Sequence, residues 1–325
     1  MTTGTVVGTT ERPRWLVPAV GVALILVPFL VGTFEVSLAT TAVIFAVFAM
    51  SLDILVGYTG LISLGHAAFF GFGGYMAAYT SINLTGNLLV VMPIVLVTTA
   101  LLAVVLGFLS LRTTGIYFLM ITLAFAQMLF GLAVKWTPVT GGSDGLAGVP
   151  AAFIGVGPLE FVFSGRVSFY YLVVAAFFIL WWFLARVVGS PFGHALVGIK
   201  DNEERLASLG YNTWRYKMAA YVLAGSVAGL AGALFVFFNR HAAPENLFWV
   251  VSGEVLVMVI IGGAGTLYGP ALGAVLVRLF GSYVSSYTDR WQTLLGLLFV
   301  GFVLFAPGGI VGLIRRWRKR GRSPG

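Results

Sequence analysis

The sequence predicts an all-α membrane protein, a polytopic transmembrane helical bundle of eight to ten spans in which glycines interrupt some helices. Of its 325 residues, 59% are hydrophobic and only 9% are charged, whereas a soluble domain carries about 25% charged residues. The mean hydropathy is +0.99. No water-soluble fold covers so much apolar surface. We therefore expect one transmembrane domain over 15–314, with a polar tail at 1–14 and a basic tail at 315–325.

Apolar segments long enough to cross a bilayer, about 20 residues, recur along the chain. Segment 15–32 has no small-residue cleavage site after it and is interrupted by Pro28, so it predicts a retained first helix and not a signal peptide. The stretch 253–281 is broken by GGAGTLYGP at 262–270. It predicts a re-entrant hairpin (eight spans) or two short helices (ten spans), with the second slightly favoured. The clear segments are 15–32, 36–56, 65–80, 88–109, 116–134, 169–188, 218–238 and 291–312.

The distribution of Lys and Arg predicts the orientation. If the N-terminus is cytoplasmic and the spans alternate, fourteen basic residues face the cytoplasm and four face outside, with Arg278 left inside an apolar segment. Such an excess follows the positive-inside rule. Both termini and the charged loop 189–217 are therefore expected in the cytoplasm, and the loop 135–168 outside. The basic run RRWRKRGR directly follows an apolar segment, which favours a juxtamembrane anchor over a nucleic-acid patch.

The groups that an enzyme or an ATPase needs are absent from the sequence. The chain has no Cys, and none of its Lys residues follows a Gly, so it has no G-K-[ST] phosphate loop. Its three His residues lie on different segments without metal-ligand spacing. We expect no catalytic residue, metal or cofactor in this chain. Three functions remain open. They are transport as a subunit of a larger complex, transport by a self-sufficient channel or carrier, and catalysis by an intramembrane enzyme, which is disfavoured.

Two glycine-rich interruptions predict a translocation path. GYTGLISLGH at 57–66 breaks one apolar run, and 262–270 breaks another in the second half of the chain. Irregular backbone at membrane depth is tolerated only where protein buries it or where it lines a water-filled cavity, and such a pair is typical of transport sites between repeats. The candidate path residues are Asp53, Gly57, Thr59, Gly60, Ser63, Gly65, His66, Gly262, Gly263 and Gly265.

Asp53 and the stripes of small residues can also be explained by structural roles alone. A carboxylate within an apolar run is expensive and often functional, but Asp53 is equally explained as a cap or a partner of a neighbouring helix. Stripes of small residues on one helical face predict close helix packing. Three such stripes occur, at 67–78, 225–232 and 265–273.

The charged loop 189–217 predicts a short helix–turn–helix outside the membrane. Asp201 or Asn202 can cap a second helix over 203–209, whose first turn is acidic, and Gly210 can end it. Because the chain lacks an ATP site, a cytoplasmic docking helix suggests an ATPase partner. The predicted contacts are two leucines buried in the partner and charged residues at the rim, namely Asp201, Asn202, Glu203, Glu204, Arg205, Leu206, Leu209 and Gly210.

These segments together resemble the membrane permease subunit of a bacterial ABC importer for branched-chain amino acids, of the high-affinity permease M type. The resemblance covers about 36–314. It rests on GYTGLISLGHAAFFGFGGY (57–75), RTTGIYFLMITLAFAQM (112–128), TGGSDGL (140–146), SPFGHALVGIKDNEERLASLGYN (190–212) with YKMAAYVLAGSVAGLAGAL (216–234), SGEVLVMVIIGGAGTLYGPALGA (252–274) and LFAPGGIVGL (304–313).

The resemblance implies a function and a set of partners. The chain would form the path for branched-chain, hydrophobic amino acids in the bacterial inner membrane, beside a sister permease, two cytoplasmic ATPase subunits that bind ATP and Mg, and an external solute-binding protein, with no nucleic acid. By similarity, Glu203–Gly210 corresponds to the family's coupling helix, and the broken segment at 57–66 would line the path where two permeases meet. His194 stands where the family usually has Arg. A urea or amide importer of the same superfamily is the alternative, which MITLAFAQM and TGGSDGL disfavour.

Overall fold

The structure, a computed structural model, describes residues 16–156, 159–288, 290–306 and 308–320. The predicted tail 1–14 and residues 321–325 lie outside the described residues. The described part is built almost entirely of helices, as the composition predicts. They are α1 Leu16–Leu30, α2 Thr33–Asp53, α3 His66–Asn83, α4 Leu88–Ser110, α5 Ile116–Lys135, α6 Thr137–Thr140, α7 Arg166–Val188, α8 Pro191–Ser208, α9 Thr213–Asn239, α10 Trp249–Gly262, α11 Tyr268–Ser285, α12 Trp291–Phe305 and α13 Gly309–Arg320.

Six stretches of helix are long and apolar enough to cross a membrane by length and composition. They are Thr33–Thr59, Leu88–Ser110, Ile116–Lys135, Arg166–Val188, Thr213–Asn239 and Trp291–Ile314. The first and the fifth of these are mostly buried inside the bundle, whereas most residues of the other four are only partly buried or exposed. The exposed apolar side chains of these four helices are suited to contact with lipid, because contact with hydrocarbon has no free-energy cost for apolar groups.

Helix α2 gives the bundle two recognisable ends. At its C-terminus, the Asp53 end, α2 contacts the turn between α10 and α11 and lies near the loop that contains Lys200. At the opposite end, the Ser37 end, the Ser37 hydroxyl accepts a hydrogen bond from Arg166 at the start of α7 (3.2 Å). The two ends therefore carry different loops.

The apolar stretch 253–281 forms two helices, α10 and α11. Helix α11 runs antiparallel to α2 along most of its length, because its N-terminal turn contacts Asp53 while Ser282 shares a cavity with Leu38 and Thr41 near the start of α2. A helix that runs alongside most of α2 in this way extends through the bundle. The stretch therefore forms two helices along α2, and the ten-span topology stays a prediction.

The stripes of small residues bring helices into contact, as predicted. Gly74 of α3 lies so close to α9 that a Cβ there would overlap Val236, and a Cβ at Gly232 of α9 would overlap the carbonyl of Phe70 in α3. Gly273 of α11 packs in the same way on a carbonyl of α10. Close backbone approach gives these helix pairs the van der Waals contact that drives association in lipid.

The core of the bundle lies where α2, α3 and α9 meet. Four aromatic rings from these helices, Phe45, Phe48, Phe70 and Phe235, contact one another with centroids 4.5–6.0 Å apart. Offset and edge-to-face pairs of this kind stabilise a core beyond the area they bury. The first residue of α3, His66, stacks on Phe48 at the edge of this packed centre.

The Ser37 end is covered by the loop 136–165. The loop contains the short hairpin β2 Phe153–Val156 and β3 Leu159–Val162, together with β1 Leu146–Ala147, which pairs with β4 His241–Ala242 after α9. The side-chain amide of Asn87, between α3 and α4, donates a hydrogen bond to the Gly155 carbonyl (2.7 Å). These short strands are an addition to the all-α architecture that the sequence predicts.

Candidate functional site: two interrupted helices and the loop that contacts them

The first interruption follows α2 directly. Helix α2 widens into a π-helical stretch over Ile54–Thr59, and Gly60 ends it in the left-handed conformation (φ 74°). The chain then runs without regular helix to Gly65, where α3 begins. Because the Ala67 amide donates to Ser252 of α10 (2.7 Å) and the Leu64 amide donates to Thr122 of α5 (3.3 Å), the opened backbone is satisfied by side chains inside the bundle.

The second interruption joins α10 to α11. Gly263 and Gly265 have positive φ values of 112° and 80°, which glycine adopts without strain. Leu267 also has a positive φ, 60°, and the Tyr268 amide donates to the Thr266 carbonyl (2.7 Å) across it. A turn of this kind, closed over one residue with positive φ, is rare and strained. Leu267 is fully buried, so the surrounding structure holds the strain in place.

Asp53 connects the two interruptions. Its Oδ1 accepts a hydrogen bond from the Gly265 amide (2.7 Å), and its Oδ2 accepts one from the Leu267 amide (3.0 Å). The carboxylate is fully buried. In this structure Asp53 is the partner of a neighbouring helix, which is one of its two predicted roles. Its carboxylate accepts hydrogen bonds from backbone amides before α11 that have no partner within that helix. Its oxygens stabilise the strained turn at Leu267.

Gly57 allows the two interrupted segments to touch. A Cβ at Gly57 would overlap both the Asp53 carboxylate and the Gly265 backbone. Gly262 lies equally close to the carbonyl of Gly269, and Gly263 lies against the residue that precedes α13. The two predicted interruptions therefore meet at Gly57 and Gly265, at the Asp53 end.

The other predicted path residues lie along the first interruption. Thr59 donates to the Leu55 carbonyl, Ser63 accepts from the Gly65 amide (3.2 Å), and Gly65 lies against the carbonyl of a residue in α5. Thr59 and Ser63 are buried, whereas Gly60 is exposed. In this conformation the hydroxyls of Thr59 and Ser63 form hydrogen bonds with backbone groups of the interruption.

His66 is predicted to face a translocation path, but in this structure it lies in the aromatic core. The imidazole is fully buried, stacked on Phe48 with centroids 5.4 Å apart, and its Nε2 lies 2.8 Å from the Ser51 hydroxyl. Its Nδ1 has no hydrogen-bond partner among the described residues. His66 therefore belongs to the aromatic core in this structure, because the extended segment before it directs the first turn of α3 inward.

The loop between α7 and α9 contains the predicted helix–turn–helix. Helix α8 is kinked at Asn202, which has extended backbone (φ −163°, ψ 100°), and the Asn202 side chain accepts from the Arg205 amide (2.9 Å). Asn202 is thus the N-cap of the second segment, one of the two residues predicted for it. Gly210 follows the helix with φ 90°, the backbone conformation predicted for a glycine after the C-terminus.

Two side chains that the sequence predicts to contact a partner also have contacts within the chain. The sequence places Glu203 at the rim of a partner, but Glu203 pairs with Lys217 of α9 at 2.6 Å. The sequence also places Leu206 in a groove of the partner, but Leu206 packs over Gly198 in the first half of α8 and is only partly exposed.

Leu209 differs from Leu206 because it faces outward, with 69% of its surface exposed. Tyr211 and Trp214, which follow it in the chain, are exposed as well. We call these three residues the Leu209 patch. Leu209 and Tyr211 lie in the loop, and Trp214 lies in the first turn of α9, where its ring contacts Phe108 edge-on (6.3 Å between centroids).

Lys200 links this loop to the first interruption. Its Nζ donates a hydrogen bond to the Gly57 carbonyl (2.7 Å), and its stem lies on Gly60. Nothing in the sequence singles out Lys200. A basic residue in the first half of the loop looks like any other cytoplasmic charge, and its partner is a backbone atom 143 residues away.

A pair of charged residues that the sequence does not predict to be in contact lies closer to the Ser37 end. Arg278 of α11 approaches Glu254 of α10 (3.5 Å between Nη1 and Oε1), and its guanidinium stacks over the Phe45 ring at 3.4 Å from the centroid. The available signal is the isolated Arg278 within an apolar segment, because intramembrane charges mark functional positions. Among the described residues no three His, Cys, Asp or Glu side chains group as metal ligands.

Comparison with known proteins identifies the family. A family model described as the branched-chain amino acid transport system permease component matches residues 35–306. The chain belongs to this family. The match includes both interruptions, the loop with α8 and the Arg278–Glu254 pair. Members of this family are permease components and not enzymes, and the chain is accordingly a multi-pass protein of the inner membrane.

Curated relatives of this permease carry related names. The high-affinity branched-chain amino acid transport system permease protein LivM of Escherichia coli is 27% identical over 327 residues, 95% of this chain and 77% of the relative. The probable branched-chain amino acid transport permease protein LivM of Methanocaldococcus jannaschii is 24% identical, with 85% of each chain covered. The autoinducer 2 import system permease protein LsrC of Salmonella typhi is 25% identical over 66% of this chain and 62% of its own. No solved structure matches the chain.

Proposed function

We propose that the chain is the permease subunit of an ATP-binding-cassette importer and forms the translocation path for branched-chain, hydrophobic amino acids delivered by an external solute-binding protein. The family and the names of the LivM relatives support the substrate class. The observation that carries the mechanism is the hydrogen bond from Lys200 to the Gly57 carbonyl. It joins an exposed loop to the interrupted helix, so force on the loop reaches the bundle.

The proposed partners are a sister permease, two ATPase subunits and the solute-binding protein. ATP and Mg are bound by the ATPase subunits, since this chain has no phosphate loop. The Asp53 end is the cytoplasmic end. The basic residues Arg112, Arg186 and Lys200 lie on the turns and loop of that end, whereas Lys135, Arg166 and Arg240 lie on those of the other, which matches the positive-inside rule.

The Leu209 patch docks on an ATPase subunit. Leu209, Tyr211 and Trp214 are large apolar side chains exposed beside a capped helix, and aromatic anchors of this kind dominate interface energetics. A rigid helix transmits displacement better than a flexible loop. Its movement shifts Lys200, and with it the contact of Gly57 with Gly265 that holds the two interruptions together.

The first interruption lies on the path between two permeases. Gly60 and Ile62 are exposed although they follow a buried helix. Exposed non-helical backbone is not stable against lipid, so a partner permease or water covers this segment in the assembled importer.

Uptake by the reconstituted importer tests the function. Proteoliposomes containing this chain, its sister permease and both ATPases should accumulate labelled leucine when binding protein and internal ATP are supplied. Urea and autoinducer 2, offered with their own binding proteins, are the competing substrates. Accumulation of urea in place of leucine would assign the urea or amide alternative. Uptake by this chain alone without ATP would instead make it a self-sufficient carrier.

Single cysteines test the docking surface, because the chain has no native Cys. A cysteine introduced in place of Leu209 should crosslink to an ATPase subunit in the assembled complex. A cysteine in place of Thr113, in the turn between α4 and α5, is the matched control at the same end of the bundle. Crosslinking from position 113 but never from 204–209 would show that the coupling element lies elsewhere.

A further inference from the structure

The Arg278–Glu254 pair lies at the wall of a cavity that is partly open to the outside of the bundle. Arg278 is the eleventh residue of α11, which places it about 15 Å along the helix from Tyr268 at ~1.5 Å per residue. The cavity has a volume of about 250 Å³ and lies between α2, α10, α11 and the start of α12. From the charged pair its lining continues towards the Ser37 end through Thr41, Ser282 and Leu38 to Trp291.

The charged pair is incompletely satisfied. The separation of 3.5 Å between Arg278 Nη1 and Glu254 Oε1 is longer than the roughly 2.7–2.9 Å typical of a charge-assisted hydrogen bond. Arg278 Nε is buried and has no hydrogen-bond partner among the described residues. A guanidinium has about five N–H donors in a planar fork, so much of its donor capacity is open to a ligand. Buried polar groups left in this state are costly, and a ligand would satisfy them.

We propose that this cavity is a binding subsite for one zwitterionic, hydrophobic α-amino acid. Arg278 receives the carboxylate, Glu254 receives the ammonium group with help from the hydroxyls of Ser282 and Thr41, and the apolar side chain lies against Leu38 and Trp291. The inference rests on the proposed function and deepens it. It gives the permease its own substrate site in addition to that of the binding protein.

The charges of the cavity match this ligand. Opposite charges side by side suit a zwitterion, and Arg is the residue best shaped for bidentate binding of a carboxylate. The volume corresponds to about eight water molecules at ~30 Å³ each, which gives room for an amino acid of the size of leucine.

A second cavity provides the contrast. It lies between α4, α7 and α9, has a volume of about 660 Å³, and is lined almost wholly by apolar side chains without an acidic residue. It offers no partner for an ammonium group. The charged cavity is therefore the better match for an amino acid, although it is the smaller of the two.

Protection of a single thiol tests the site. Ser282→Cys changes one atom in the cavity wall, in a chain without other thiols. At about ten times the half-protecting concentration of L-leucine about one site in eleven is free, so alkylation of the thiol at position 282 should slow about ten-fold. Two leucine analogues, 4-methylpentanoate without the ammonium group and 3-methylbutylamine without the carboxylate, should not protect. Ser226→Cys, in the larger cavity, is the control that leucine should leave equally reactive.

Uptake by variants of the pair provides the second test. In the reconstituted importer, Arg278→Gln should raise the KM for leucine about 10- to 100-fold, the loss of one hydrogen bond to a charged group. The double variant Glu254→Gln with Arg278→Gln removes both charges and leaves neither unpaired, so it should fold and show the same defect.

The outcomes separate the subsite from the proposed function. Wild-type importer that takes up no branched-chain amino acid would refute the proposed function. Normal leucine uptake with unchanged KM in the double variant, or equal alkylation at position 282 with and without leucine, would refute the subsite alone.

Discussion

At the residue scale, Asp53 is the side chain on which both interruptions depend. Replacing Asp53 by Asn leaves one oxygen acceptor but turns an amide donor towards a backbone N–H of Gly265 or Leu267. We expect the variant to lose about 1–3 kcal/mol of stability and to transport poorly, because the strained turn at Leu267 loses one of its supports. Thermal unfolding of the purified complex and leucine uptake measure the two effects.

The control for Asp53 is an aspartate without this role. Asp144→Asn lies on the exposed loop at the Ser37 end, where surface substitutions usually change stability by less than about 0.5 kcal/mol. Equal melting temperatures for Asp53→Asn and wild type would mean that the carboxylate does not hold the turn.

Gly57 and Gly253 make a matched pair of glycine substitutions. A methyl group at Gly57 overlaps the Asp53 carboxylate and the Gly265 backbone, so Gly57→Ala should cost about 1–3 kcal/mol and separate the two interruptions. At Gly253, within α10, a Cβ meets no described atom within 4 Å, and Ala should stabilise the helix by about 0.5–1 kcal/mol. Melting temperatures that fall for Gly253→Ala but not for Gly57→Ala would contradict this geometry.

Some of these residues can be predicted from the sequence, but their partners cannot. Asp53 is conspicuous because a carboxylate in an apolar run must be satisfied. Its donors, however, lie 212 and 214 residues further along the chain, and no local pattern records such a pairing. His66 shows the opposite failure. The sequence groups it with its neighbours in the interruption, but the direction in which α3 leaves Gly65 turns it into the core.

At the scale of elements, the second half of α8 is the part expected to act on other subunits. Leu209→Asp should uncouple ATP hydrolysis from transport while the chain keeps its fold, because Leu209 is 69% exposed. Leu206→Ala should instead loosen the helix itself, since Leu206 packs over Gly198. ATPase activity with and without binding protein and substrate, together with melting temperature, separates the two effects.

Glu204→Gln is the control for this element. Glu204 is exposed and forms no ion pair with any residue in the described part of the chain, so its neutralisation should change coupling little. A Glu204→Gln importer as uncoupled as Leu209→Asp would mean that charge, and not the apolar patch, carries the docking.

The sequence predicts most helices because their length and their caps are local properties. The apolar segments correspond to α1–α5, α7, α9 and α12, and the cap at Asn202 follows from residue types alone. The strands β1 and β4 contain two residues each and come from loops on opposite sides of α7, α8 and α9 in the chain. Such short strands have no periodicity to detect, and the packing of the bundle decides that they pair.

At the scale of the whole molecule, the arrangement of the two ends predicts topology. We expect reporter fusions at residue 150, in the loop of the Ser37 end, to show an external position, and fusions after residue 325 to show a cytoplasmic one. The reason is the clustering of basic residues at the Asp53 end. A cytoplasmic signal at 150 would invert the map, and it would place the Leu209 patch out of reach of an ATPase.

The distance along the chain between Asp53 and its donors has a consequence for synthesis. Gly265 is made 212 residues after Asp53, which takes about 10–40 s at ~5–20 residues per second. During that time the second helix is already complete, yet its terminal carboxylate has neither of its backbone partners. The nascent permease must keep that end in contact with water or with the insertion machinery until α11 emerges. Chains truncated before residue 265 should therefore be degraded faster than chains truncated after 285.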